Sequence, residues 1–255
     1  MKTRAFAGGC KKVREKCKKG LHFAAGYGKM KKTGLREGRM KLVRWIKKHI
    51  CSLAVIGATL LMLAVMLVPL FLPIDDLNGN GRSDAADLVL GARAAVAANP
   101  VYDASYVKGY PPETAGACTD VIWRAFAAAG YSLRDMVDAD IAANPSAYPN
   151  VEKRDRNIDY RRVVNLHIFF SRYAEEISTD KSDPSLWQPG DIVIFRDDRH
   201  IGIISDRTNA DGLPLVIHHS ILAAEEADYL PGAEVTAHYR FDVNRLPRRL
   251  RIAWE

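Results

Sequence analysis

Three features of the 255-residue sequence predict an α+β domain, helices first and an antiparallel sheet after, preceded by one transmembrane helix. Ile50 to Leu72 is a run of 23 uncharged, mostly apolar residues. From about Tyr102 to Tyr173 the apolar residues recur at helical spacing. From Trp187 onward the period shortens to that of strands.

The charge is divided along the chain. Residues 1–49 hold 17 of the 37 Lys/Arg but only Glu15 and Glu37 of the 30 acidic residues. Everything after residue 73 carries the other 20 basic residues against 28 acidic ones. The basic character therefore belongs to the tail, and no nucleic-acid partner is expected for the globular part. The tail is too polar to fold alone and suits anionic lipid; a cytosolic RNA is a distant alternative for it.

The apolar run, read as a helix at ~1.5 Å per residue, reaches about 34 Å and spans a hydrocarbon core of about 30 Å. Pro69 lies near its far end, where a kink is tolerated. The run is longer than a signal-peptide core and lacks a small-residue cleavage site. Lys41, Arg44, Lys47 and Lys48 precede it, while Asp75 and Asp76 follow. That asymmetry keeps the N-terminus in the cytoplasm and exports residues 74–255, a single-pass protein of the cell membrane. Cys10 and Cys17 stay inside, and Cys51 lies at the membrane edge where acylation occurs. Cys118 is then the one exported thiol, without a disulfide partner on its own side.

Residues 74–98 admit two readings. "DLNGNGRSDAAD" has calcium-loop spacing: Asp76, Asn78 and Asn80 at positions one, three and five, Gly81 at the turn, the Arg82 carbonyl at seven, Asp84 at nine and Asp87 at twelve. Oxygen ligands at alternate positions suit calcium, and the half-repeat resembles dockerin and EF-hand modules. The other reading is a turn-rich linker whose Ser83, Asp84 and Asp87 cap the following helix.

Residues 100–255 are enough for an independent core. In "GACTDVIWRAFAAAGY" the spacing of Val121, Ile122, Ala125, Phe126 and Ala129 predicts a helix opening at Cys118 and stopped by Gly130. Further helix is expected around Asp138–Ile141 and in "RRVVNLHIFFSRYAEEI", with Val164, Ile168 and Tyr173 on its apolar face. "WQPGDIVIF", "HIGIIS", "PLVIHHS" and "EVTAHYRFD" predict four strands of an antiparallel meander, joined by turns at 197–199 and 208–212.

His200 opens its strand and shares a face with Gly202 and Ile204, Gly202 leaving space beside it. His218 ends the next strand, within reach if the intervening turn is centred near 208–212. A thiol at a helix start beside an imidazole suits nucleophilic chemistry. In that scheme His200 is the base, His218 orients it, and helix-start N–H groups face the oxyanion. Buried packing of Cys118 is the competing reading. A zinc site is a further one, although no close ligand pair of the Cys-x-x-Cys or His-Glu-x-x-His type is present.

"GACTDVIWRAFAAAGYSL", "NIDYRRVVNL", "WQPGDIVIF", "HIGIISD", "VIHHS" and "AHYRFD" occur in the order found in a bacterial domain-of-unknown-function family, number 1287, which this chain resembles over about residues 85–245. That family in turn is similar to NlpC-type cell-wall peptidases with a papain-like core. The resemblance implies Cys118 as nucleophile, His200 as base, and His218 or His219 as the orienting residue. It departs from the pattern at "ACTD", where Asp more often precedes the cysteine, and at His219, where Asn is expected. In "NIDYRR", Asp159, Arg161 and Arg162 form a charged cluster that fits either a substrate-carboxylate clamp or an internal ion-pair network.

The expected protein is thus a membrane-anchored extracytoplasmic cysteine peptidase or amidase acting on peptidoglycan or its peptides. It needs no cofactor for catalysis, with calcium the only candidate ion. The alternative is a non-catalytic wall- or protein-binding module of the same fold.

Overall fold

The computed structural model describes residues 37–49, 52, 54–63 and 75–255. The chain divides into two units, Met1–Leu72 and Pro73–Glu255. In the first, Glu37–His49 and Ala54–Leu63 are helical and meet at a bend of 65°. Among the described residues no single helix is long and apolar enough to cross a membrane; the bent pair together meets that test of length and composition. The second part of the expected span, with Pro69, lies outside the described residues, as does the tail to residue 36. Residues 37–49, expected to be too polar to fold, are helical. Their Lys, Arg, Leu and Met have good helix propensity, and no Pro interrupts them.

The second unit is α+β, as expected. Its helices are α1 (Asp84–Ala97), α2 (Cys118–Ala128), α3 (Leu133–Ala143) and α4 (Val163–Tyr173). Two short parallel strands, β1 (Val101–Tyr102) and β2 (Ala115–Gly116), precede α2. The main sheet holds β3 (Glu175–Glu176), β4 (Ile192–Phe195), β5 (His200–Thr208), β6 (Pro214–His219), β7 (Ala224–Ala227) and β8 (Val235–Arg240). Its order is β3-β8-β4-β5-β6-β7, and every neighbouring pair is antiparallel.

This order corrects the expected meander. β8 does not follow the third predicted strand across the sheet but pairs with β4, His238 opposite Val193. The place beside β6 is taken by β7, whose sequence "AEEA" lacks the β-branched residues that mark a strand. Two glutamates on a four-residue edge strand also guard it against pairing with another chain.

Alternation along β4, β5 and β6 gives the sheet two buried faces. Ile192, Ile194, Ile201, Ile203 and Ile217 face the core that includes Val121, Ile122, Ala125 and Phe126 of α2. Val193, Phe195, Ile204 and Val216 pack on the other side with Trp187 and Leu230. On α4 the buried stripe is Leu166, Phe169, Phe170 and Tyr173. It is rotated from the expected one, because Val164 and Ile168 are only half-buried while the larger aromatics take the core.

Residues 74–98 are not an appendage. Helix α1 crosses α2 so closely that a Cβ on Gly91 would lie 2.5 Å from Ala128 Cβ and 2.9 Å from Ala125 Cα. At its other side, Arg93 donates to Glu226 Oε1 at 2.8 Å and to Ser205 Oγ at 3.2 Å, and pairs with Asp206. A helix tied in this way is a structural layer of the domain.

Candidate active site

Cys118 is the first residue of α2, and Ala117 before it has extended backbone (φ −129°, ψ −175°). What holds that first turn is Asp120, which is fully buried. Its Oδ2 accepts the Ala117 N–H at 2.6 Å and Arg161 Nη2 at 2.9 Å. Its Oδ1 accepts Trp123 Nε1 at 2.8 Å and Arg161 Nε at 3.0 Å. Arg161 spends its remaining donors on the carbonyls of Ser105 (2.6 Å) and Asp103 (3.0 Å). The carboxylate two residues after the cysteine therefore orients the helix start. The third-position carboxylate of a capping box was the signal that could have identified it.

The thiol itself is 7 % exposed and packs in the core on the α2 side of the sheet. Burial pushes it up to about 11, and the N–H groups of Ile201 and Thr119 that point at the sulfur offset only part of this. The expectation that the helix start and an imidazole would favour thiolate is corrected here. Desolvation outweighs the backbone N–H groups at the sulfur, so the shift favours the neutral thiol.

The structure brings His200 and His218 together, with His200 Nε2 and His218 Nδ1 2.9 Å apart in a hydrogen bond. Both rings are buried. Across β5 and β6, Ile203 faces Ile217 and Ile204 faces Val216, so the two histidines lie at the end where the strands part. Gly202 permits this approach, because a Cβ there would sit 2.6 Å from Val216 Cγ1 and 3.3 Å from His218 Cβ. The space it leaves thus serves His218 as much as His200.

His219 falls on the opposite face of β6 from His218 and meets Tyr102 edge-on, ring centroids 5.5 Å apart. The geometry separates the two adjacent histidines: His218 contacts His200, whereas His219 does not. His200 Nδ1 makes no hydrogen bond among the described residues, and none joins Cys118 to His200 in this state. His200 shares its face of β5 with Ile204 and packs beside Phe195 and Tyr229, whereas Cys118 packs on the α2 side with Ile201 and Ile217. The sheet separates the thiol from the His200–His218 pair, which corrects the expected pairing. His219 is the histidine of β6 on the Cys118 side.

Desolvation drives His200 and His218 well below the ordinary histidine value. Like charges reinforce it: His218, Arg196 and His219 act on His200, and His219 and Arg196 act on His218. Such groups stay neutral when folded but take up protons when unfolded. Below about pH 6.5 the unfolded chain binds more protons, and stability falls by up to about 1.4 kcal/mol per pH unit for each ring. Urea midpoints measured from pH 7 to 4.5 should therefore decline, and His218→Gln should flatten that decline.

The "NIDYRR" residues are not gathered on one face. Arg161 is internal, as described. Asp159 is buried, accepts the Asp155 N–H at 2.7 Å, and is raised by desolvation. Arg162 is exposed and lines an open cleft with Asp159, Lys153 and Asn165.

In the loop at 76–87, Asp76 accepts the N–H of Asn80 (3.1 Å) and Gly81 (2.8 Å), a turn compatible with the expected spacing. Other side chains depart from a ligand set. Asp87 is met by Asn78 Nδ2 (2.9 Å), Asn80 Nδ2 (2.6 Å) and Arg82 Nε (2.7 Å), so the Arg82 guanidinium supplies the positive charge. Asp84 is buried and occupied by the Leu77 N–H at 2.9 Å and the Tyr131 hydroxyl. Among the described residues no group of three or more His, Cys, Asp or Glu could hold a metal.

Comparison with known proteins adds a family but no activity. Residues 89–241 match the family described as "Domain of unknown function (DUF1287)". The chain is 40% identical over 164 residues to the uncharacterized protein YijF of Escherichia coli (strain K12), covering 60% of this chain and 80% of that one. No solved structure matches it. With its helix-start cysteine and paired histidines inside the matched segment, the chain belongs to the DUF1287 family.

Proposed function

We propose that this protein is a membrane-anchored cysteine hydrolase whose domain works outside the cytoplasmic membrane on peptide or amide bonds of peptidoglycan. The observation that supports it is the Cys118 sulfur at the start of α2, met by the N–H groups of Ile201 and Thr119, with the buried His219 on the same side of the sheet. The similarity of its motifs to NlpC-type peptidases with a papain-like core supports the same assignment.

In the resting site both partners are neutral. Sulfur attacks the scissile carbonyl carbon while His219, the β6 histidine on the Cys118 side of the sheet, takes the thiol proton, so proton transfer accompanies C–S bond formation. N–H groups at the start of α2 face the oxyanion. The C–N bond breaks as His219 returns the proton to the leaving nitrogen, giving a free amine and a thioester. Water, deprotonated by His219, then releases the carboxylic acid and restores the thiol. The chemistry requires no cofactor. Of the "NIDYRR" cluster, the exposed Arg162 is the residue able to meet a substrate carboxylate.

A second reading, a wall- or protein-binding module, draws on the thiol pushed up to about 11 and on the missing Cys118–His200 hydrogen bond. Digestion of purified sacculi by the full-length protein separates the two. Release of peptide fragments by the wild type, abolished in Cys118→Ala and His219→Ala, is the expected result. Retention of protein on sacculi without released fragments, equally in all three, favours the binding module.

A further inference from the structure

We propose that the cleft between Lys153 and the start of α4 binds a group carrying an ammonium and a carboxylate on one carbon, as an amino acid does. Asp159 and Asn165 accept from the ammonium, and Arg162 and Lys153 donate to the carboxylate. This extends the assignment of Arg162 as a carboxylate contact, but it concerns binding alone and holds whether or not Cys118 reacts.

The floor of the cleft carries an anion without a counter-ion. Asp159 is 6 % exposed, and no ion pair reaches it among the described residues. Its Oδ2 accepts the Asp155 N–H at 2.7 Å, whereas Oδ1 accepts nothing from the described residues and is not sealed from solvent. Burial raises its carboxyl, Asp155 and Asp138 add to the effect, and Arg162 offsets it least of the surrounding groups. A desolvated carboxylate without a partner is costly, and a cationic ligand relieves that cost.

Beside it stands a second acceptor. Asn165, in the first turn of α4, is 2 % exposed and lines the same cleft. Its Nδ2 donates to the Asp159 carbonyl at 3.0 Å. Turning the amide over would set two oxygens at that distance, so the oxygen is the atom left over. That Oδ1 is buried, and no protein donor reaches it. An ammonium has three donors, enough for the carboxylate and for this amide.

The rim has the opposite charge. Lys153 and Arg162 are exposed, and neither side chain forms an ion pair or a hydrogen bond among the described residues. Glu152, the other acid of the cleft, is exposed to water and screened by it. The cleft encloses about 500 Å³, the size of a small-molecule site. Lys153 and Arg162 disfavour a bare cation and Asp159 a bare anion, which together select the zwitterion.

The test is saturation-transfer NMR of the full-length protein in detergent, with alanine as the probe and ethylamine and propionate as its two halves. Alanine should bind at least about tenfold more tightly than either half, because each half loses a charge-assisted contact. Asp159→Asn keeps an oxygen for the Asp155 N–H, and Arg162→Gln alters only an exposed side chain; each should weaken alanine by about tenfold. Arg162→Gln serves if Asp159→Asn fails to fold. Soluble muropeptides, added to Cys118→Ala so that nothing is cleaved, separate the two sources of this chemistry. Displacement of alanine assigns the site to a wall peptide, and its persistence assigns the site to a free amino acid. No binding of alanine or muropeptides, a half that binds as well as alanine, or binding unchanged in the folded variants overturns the proposal. Binding without any acylation of Cys118 removes the hydrolase reading and leaves this one standing.

Discussion

Replacing Arg161 by Ala is expected to destabilise the Pro73–Glu255 unit by about 3–5 kcal/mol, because it strands a buried carboxylate. Asp120 has no contact with solvent, and two of its hydrogen bonds come from this one guanidinium. The same substitution frees the carbonyls of Ser105 and Asp103, which Arg161 ties to the start of α2. Arg161→Lys keeps the charge without the planar fork and should fall between the two. Urea denaturation provides the measurement. A double change to apolar residues, Asp120→Leu with Arg161→Met, should recover part of the loss, since the cost lies in the unpaired charge rather than in the absence of the pair.

Removing the His219 imidazole, which lies on the Cys118 side of the sheet, is expected to lower acyl transfer to Cys118 by about 10²–10⁴-fold while leaving the fold intact. The magnitude follows from the neutral resting state. A thiol pushed up to about 11 has almost no thiolate at pH 7, so attack depends on a base that takes the proton as the bond forms. His219→Ala should therefore reduce the rate at neutral pH and leave a residual rate that climbs steeply toward alkaline pH as thiolate appears. Iodoacetamide should label Cys118 of the free protein more slowly at pH 7 than it labels free cysteine, because burial stabilises the unreactive thiol.

What the sequence made legible was local and periodic. The apolar spacing after Cys118 placed α2, and the β-branched runs placed β4, β5 and β6. Alternation from a strand start to the end of the next strand suggested that His200 and His218 meet. The position of β8 beside β4 was hidden because it is a long-range pairing, and β7 was hidden by its glutamates. Arg161 looked like a candidate substrate clamp because its partner, Asp120, lies in a different motif. The pairing of these charges appears only when α2 packs against the "NIDYRR" turn. The loop at 76–87 has ligand spacing, yet Arg82 and Tyr131 engage its carboxylates, and no spacing rule reveals where those two side chains reach. Burial of the thiol was one of the two readings left open, since it depends on the depth of α2 against β5.

The central claim is that Cys118 is a nucleophile assisted by His219, and acylation by a simple ester tests it most directly. The full-length protein is treated with p-nitrophenyl acetate at pH 7, and the acetyl group is located by peptide mass mapping, which separates Cys118 from the other cysteines. The expected result is a thioester on Cys118 in the wild type, formed at least about 100-fold more slowly in His219→Ala. Acylation of Cys118 at the same rate with and without His219, or no acylation of a folded protein at that residue, contradicts it.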